Sequence, residues 1–296
     1  MASPLLLQVH RATLGVARSG WEAVTDEFAA ADLALSRHRD DSELTRLNRV
    51  AGAAEPLLVG WRLRAAIAAA DRARRVTEGR FDARVLASLV RLGDVGAALP
   101  EPRQPPAPAA RDPRSGRVAL DRPYDLGGIG KGLALRWAGR RLDRLLAEAG
   151  GWTLEAGGDL VAAGRPDDAA HWSIGIEDPS GGAEPVAVIE VERGAVCTSS
   201  VARRSWRAPD GAQVHHLIDP RTGQPGGEGL LSVTVAGSDP AWSEVWSKAL
   251  ILQGVRGIGE LARARGSLAW WVEADGSLHM TPAARSRTAW TADEAR

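Results

Sequence analysis

Cysteine is almost missing from this chain: Cys197 is the only one in 296 residues, which excludes an internal disulfide and a cysteine-built metal site. Excess charge of one sign is missing too. The 37 basic and 37 acidic residues cancel, so no global field recruits nucleic acid or an anionic membrane, and any polyanion must be held locally. No segment approaches the roughly 20 apolar residues of a membrane span. The start, Met1 to His10, carries a short run, Leu5-Leu6-Leu7, without a basic leader or a small-residue cleavage site. A cytoplasmic protein is expected. Tyrosine and phenylalanine are scarce, one and two residues against eleven tryptophans. Trp can stack on the planar rings of a ligand, but aromatic side chains mostly supply core area, so any single Trp here reads as packing.

What is present is ample core material, 44% apolar residues, in a chain long enough for one large domain or two small ones. The apolar spacing predicts helices over Trp21–Leu35, over 57–77 with a stop at Gly79, over Arg84–Leu92 and over Leu133–Ala147. Residues 100–115 are rich in proline and read as an insertion loop at the surface. From Gly151 the period changes. Short strand-like runs follow at 152–155, 172–176, 186–191, 213–218 and 231–235, then helices over Trp242–Leu252 and Gly257–Arg265, and strands over 267–273 and 278–281. Too few helices separate these strands to serve as crossovers, so the sheet is expected to be antiparallel and the class α+β. Residues 285–296 read as a tail of uncertain order.

The most informative segment is Asp125-Leu126-Gly127-Gly128-Ile129-Gly130-Lys131-Gly132, which runs straight into a helical pattern. Four glycines in six residues let backbone amides and carbonyls approach a bulky polyanion, because no Cβ stands in the way. The spacing is neither that of a Walker loop nor that of a Rossmann turn. Alone, it fits a tight turn closed by a helix N-terminus equally well.

Three further segments follow in order: Ala156-Gly157-Gly158-Asp159, Cys197-Thr198-Ser199-Ser200, and His215-His216-Leu217-Ile218-Asp219-Pro220-Arg221-Thr222-Gly223. Upstream lie Ser36 to Leu44, Leu47-Asn48 and Thr77-Glu78-Gly79-Arg80-Phe81-Asp82. Taken together, over about residues 30 to 280, these elements resemble the ApbE family of flavin transferases. The resemblance implies a single ApbE-like (T-fold-like) unit over residues 1–296, with antiparallel sheets flanked by helices. It also implies transfer of FMN from FAD to a Ser or Thr hydroxyl of an acceptor protein, with release of AMP. Such a step needs a base for the hydroxyl proton, cationic groups at the phosphates and a positioned donor.

By the same resemblance Asp125 and Lys131 contact the flavin dinucleotide, and His38, Arg80, Phe81 and Asp82 line its isoalloxazine end. Thr198 and Ser199 offer hydroxyls to phosphate, and Gly226 a backbone contact. His216 matches the site histidine and suits a general base near neutral pH. Asp219 reads as the cap of the turn through Gly223, and Asp159 as a brace for the Gly157-Gly158 backbone. The family binds Mg²⁺ through a backbone carbonyl, here that of Gly128, and through an Asp and a Thr four residues later. This chain instead has Glu244 and Lys248, with Ser247 between. An ammonium cannot ligate a cation. Three readings follow: a helix ion pair, a Lys248 ammonium standing in the cation's place, or Mg²⁺ kept by Glu244, Ser247 and the Gly128 carbonyl. Arg136 and Ser200 also depart from the family pattern, Arg136 being free to reach a phosphate or to face water. The alternatives to FMN transfer are a weakened FAD- or nucleotide-binding protein, and hydrolysis of FAD to FMN and AMP with water as acceptor.

Overall fold

The computed structural model describes residues 4–53, 55–94, 99, 109–112, 115–167 and 169–292. Its backbone is a seven-stranded sheet, and we number those strands β1 (Leu5–His10), β2 (Gly151–Ala156), β3 (Asp159–Gly164), β4 (Gly194–Ser200), β5 (Leu230–Gly237), β6 (Leu268–Glu273) and β7 (Leu278–Met280). Their spatial order follows the chain, and every neighbouring pair is antiparallel. This is the α+β arrangement expected from the scarcity of crossover helices.

Between β1 and β2 the described residues form the α-helices α1 (Leu14–Leu35), α2 (Glu43–Arg49), α3 (Trp61–Val76), α4 (Leu86–Arg91) and α5 (Gly130–Leu145). Between β5 and β6 lie α6 (Pro240–Ile251) and α7 (Val255–Ala264). Local chemistry marks several starts: Thr13, Ser42 and Asp239 each accept a backbone N–H in the first turn of α1, α2 and α6, and Pro240 opens α6 where its missing N–H costs nothing. Helix α3 ends where Glu78 and Gly79 turn left-handed, at φ of 55° and 80°, and the Gly79 N–H reaches back to the Arg74 carbonyl at 2.8 Å.

Both faces of the sheet are covered. One face packs on α1, α3 and α5 through Trp152, Leu154 and Ala163. The other packs through Ala162, Val196 and Trp270 against a second, three-stranded sheet of Trp172–Ile176, Ala187–Val191 and Thr288–Thr291. Ala162 and Ala163 serve opposite cores, as strand alternation requires. Residues Thr288–Thr291, part of the tail read as being of uncertain order, are therefore an ordered strand paired with Ala187–Ile189. Within the proline-rich stretch, Ala110–Asp112 form a strand against Arg117–Ala119; residues 100–108 and 113–114 lie outside the described part.

Candidate functional site

The glycine turn is shaped by its own first residue. The Gly127 N–H donates to Asp125 Oδ1 at 2.7 Å, an Asx turn, while the buried Arg37 guanidinium holds Asp125 Oδ2 at 3.3 Å. Gly130 N–H then reaches the Leu126 carbonyl at 2.7 Å and the chain enters α5. Two residues on, Gly132 lies against the start of α6: a Cβ there would stand 2.6 Å from the Ala241 Cα and from the Pro240 carbonyl oxygen. Only glycine lets the two helices meet this closely.

That approach places Glu244 under the first turn of α5. Its Oε2 accepts the Gly132 N–H at 2.8 Å, so a side chain of one helix satisfies an amide at the start of the other. Its Oε1 accepts from Lys131 Nζ at 2.8 Å and from Lys248 Nζ at 3.2 Å. Lys131 Nζ also donates to Asp159 Oδ2 at 2.6 Å, and Asp159 Oδ1 accepts the Thr198 N–H at 3.2 Å. Two carboxylates and two ammoniums thus form a closed, formally neutral group, with Glu244 fully buried and the Lys131 and Lys248 side chains 23% and 13% exposed. Burial alone would lower the Lys131 pKa, but Glu244 and Asp159 hold it above the ordinary lysine value. Burial likewise opposes ionisation of Glu244, and the two ammoniums outweigh it and hold the carboxyl below its usual range. Asp159 is pushed up, first by burial and then by the charge of Glu244 against the pull of Lys131. Cys197 is buried beside this group, its thiol pushed well above its usual pKa by burial; it is a protonated core residue.

Lys131 and Lys248 face a cavity of about 640 Å³, within the size range of cofactor pockets. Its walls are the glycine turn, Phe81 and Asp82, the turn at Gly157-Gly158, Thr198 to Ser200 of β4, and the segment His216 to Ile218. Strand Trp172–Ile176 and the rim residues Glu177, Arg203 and Arg204 close the far side. His216 Nδ1 lies 3.3 Å from the Arg204 carbonyl oxygen. A carbonyl can only accept, so the neutral ring held there keeps its proton on Nδ1 and its lone pair on Nε2. Burial, then the ammonium of Lys248, push the His216 pKa down to about 4. The imidazole is therefore unprotonated at neutral pH.

Of the residues singled out in the sequence, Phe81, Asp82, Asp125, Gly128, Lys131, Thr198, Ser199, His216 and Lys248 line this one cavity. Glu244 and Ser247 sit fully buried behind its wall. Arg80 turns to Gln253 Oε1 at 2.6 Å and to the Thr77 carbonyl at 3.2 Å, outside the lining. His38 lies outside the lining with much of its surface exposed; the partial burial of its ring, then the nearby charges of Arg37 and Arg204, lower its pKa. Gly226 packs against Leu252 and Asp219 behind the wall; a Cβ there would stand 2.7 Å from Leu252 Cδ2. Asp219 caps its turn as expected, with Oδ1 accepting the Arg221 N–H at 2.9 Å.

Two expectations need correction, and one rim residue was not anticipated. Asp159 does not brace the Gly157-Gly158 backbone; it holds Lys131 and β4, because it opens β3 directly under the glycine turn. Arg136 neither reaches a phosphate nor faces water but pairs with Asp239, the cap of α6, at 2.5 Å. The rim arginine Arg204, whose Nη2 reaches both carboxylate oxygens of Asp94 at 2.8 Å, carries no sequence signal at all. Asp159 had one, the Gly-Gly-Asp order. No tryptophan lines the cavity among the described residues, in keeping with their reading as packing.

The donors expected for Mg²⁺ do not fit an ion. Glu244 already accepts from two ammoniums and an amide, and the Ser247 hydroxyl is bonded to Ser199 Oγ at 2.8 Å and donates to the Glu244 carbonyl at 3.0 Å. The Lys248 stem occupies the space beside Gly128, its Cδ and Cε 3.2 and 3.4 Å from where a Gly128 Cβ would stand. A cation entering there would meet an ammonium.

A sequence model of the ApbE family matches residues 1–271. The chain belongs to the ApbE family. Curated relatives named FAD:protein FMN transferase include one from Salmonella typhimurium, 26% identical over 86% of this chain and 76% of its own length. Another, from Treponema pallidum, is 31% identical over 69% of this chain and 63% of its own length. Among solved structures, the ApbE protein of Thermotoga maritima superposes with a TM-score of 0.82 at 24% identity, covering 96% of this chain and 99% of its own. The flavin transferase ApbE of Vibrio cholerae gives 0.77 at 21% identity, covering 96% and 99%. This ApbE fold is α+β, and no helix of the described residues is long and apolar enough to cross a membrane.

Proposed function

We propose that the protein transfers FMN from FAD to a Ser or Thr hydroxyl of an acceptor protein and releases AMP. The observation that carries this reading is the meeting, in one cavity, of the glycine turn, the Lys131 and Lys248 ammoniums and a neutral His216 imidazole. The FAD diphosphate lies against the two ammoniums, where charge-assisted hydrogen bonds fix it and offset the negative charge that builds on the phosphate oxygens during transfer. His216 Nε2 takes the proton of the acceptor hydroxyl. The hydroxyl oxygen then bonds to the FMN-side phosphorus while the bond from that phosphorus to the bridging oxygen breaks, and AMP leaves with that oxygen. Glu244 and Asp159 act by holding Lys131 at the start of α5.

The test is incubation of the full chain with FAD and a Ser/Thr-containing acceptor. Release of AMP together with flavin covalently attached to the acceptor, read by mass, supports transfer. AMP and free FMN without modified acceptor would mean hydrolysis, and FAD binding without AMP would mean a binding protein.

A further inference from the structure

We propose that the Lys248 ammonium is a built-in replacement for a divalent cation, so that this chain grips a dinucleotide diphosphate without metal. The inference rests on the reading of the cavity as an FAD site.

The case is one of occupied space and committed donors. Lys248 reaches from α6 across the face of Gly128 and ends on Glu244 Oε1 at 3.2 Å, with its side chain 13% exposed to the cavity. An ammonium carries three N–H donors. Lys248 gives one to Glu244, and Lys131 gives two, to Glu244 and Asp159. Three donors are left on the cavity side to meet phosphate oxygens. The opposite charges among Lys131, Lys248, Glu244 and Asp159 already cancel. A dication added beside them would lie against two ammoniums, with one carboxylate that both ammoniums and a backbone amide already claim. The phosphate group, in contrast, finds the ammonium N–H donors that Glu244 and Asp159 leave unused, already fixed in place.

The experiment measures FAD affinity by calorimetry in EDTA and in millimolar Mg²⁺, for the wild type, Lys248→Arg and Lys248→Thr, together with Mn²⁺ binding by electron paramagnetic resonance without nucleotide. The wild type is expected to bind FAD equally in both buffers and to show no bound Mn²⁺. Lys248→Arg, which keeps the charge, is expected to remain indifferent to EDTA, whereas Lys248→Thr should lose about tenfold or more in EDTA, one charge-assisted contact. Wild-type FAD binding that disappears in EDTA and returns with Mg²⁺, or a stoichiometric Mn²⁺ site in the wild type, would overturn the inference alone. No FAD binding in either buffer would overturn the functional reading and this inference with it. The wild-type arms decide the matter even if Lys248→Thr does not fold.

Discussion

At the floor of the cavity Glu244 is fully buried and meets two ammoniums and a backbone amide. At the rim Arg203 and Glu177 pair with 66% and 65% of their side chains exposed. The chemistry of each pair is the same, a cation against a carboxylate, and water makes the difference. A buried charge that loses its partner has nowhere to turn, so the floor is coupled to the fold itself through the α5 and α6 starts. An exposed pair is screened and contributes little. Between the two lies Asp94, a buried carboxylate held by Arg37 at 2.5 Å and by the partly exposed Arg204 at 2.8 Å, which ties the rim to the core.

The contrast gives a graded set of expectations. Glu244→Ala leaves the Lys248 ammonium and the Gly132 amide without their acceptor and Lys131 with Asp159 alone. It is expected to cost about 3–5 kcal/mol of folding stability, measured by urea unfolding; a loss under about 1 kcal/mol would mean that the group is not a buried network. His216→Asn should keep the fold and lower turnover by at least about 100-fold, the usual share of a general base, measured as AMP release at saturating FAD. Gly132→Ala is expected to cost about 1–3 kcal/mol by overpacking, since its Cβ would meet the Ala241 backbone at 2.6 Å. At the rim, Arg203→Ala should change stability by no more than about 0.5 kcal/mol.

The His216 titration sharpens the same comparison. Its folded pKa, about 4, lies below the value near 6.5 of a free imidazole, so the unfolded chain binds the proton first. Stability from this residue is complete above about pH 6.5, falls as the pH drops from there, and is gone below about pH 4. NMR of the free protein should show the low midpoint, and bound dinucleotide should raise it, because the diphosphate favours an imidazolium. A midpoint near 6.5 in the free protein would mean that His216 stands in water.

Much of this was legible from the residues. The order of the glycine turn, Gly-Gly-Asp, Thr-Ser and histidine segments found one cavity, because ligand contact requires particular residue types at particular spacings. The long helices α1, α3, α5 and α6 declared themselves by period, although α1 starts at Leu14 and not near Trp21. Strands β1, β3 and β4 went unread. Asp159–Gly164 and Gly194–Ser200 are built largely of Gly, Ala, Ser and short apolar residues buried on both sides, so they show neither alternation nor high strand propensity. The partnership of Asp159 with Lys131 spans 28 residues and that of Glu244 with Lys131 spans 113. Such pairs come from tertiary packing, here from the absence of a Cβ at Gly132, and leave no local pattern. Glu244 and Lys248 were readable as an i,i+4 pair; that they lie beneath the glycine turn was not.

The central claim is that the cavity holds a dinucleotide through its diphosphate. Displacement of bound FAD, followed by flavin fluorescence, tests it most directly. The account predicts that ADP competes with FAD whereas riboflavin, which has no phosphate, does not. Equal competition by riboflavin, or no FAD bound at all, would contradict it.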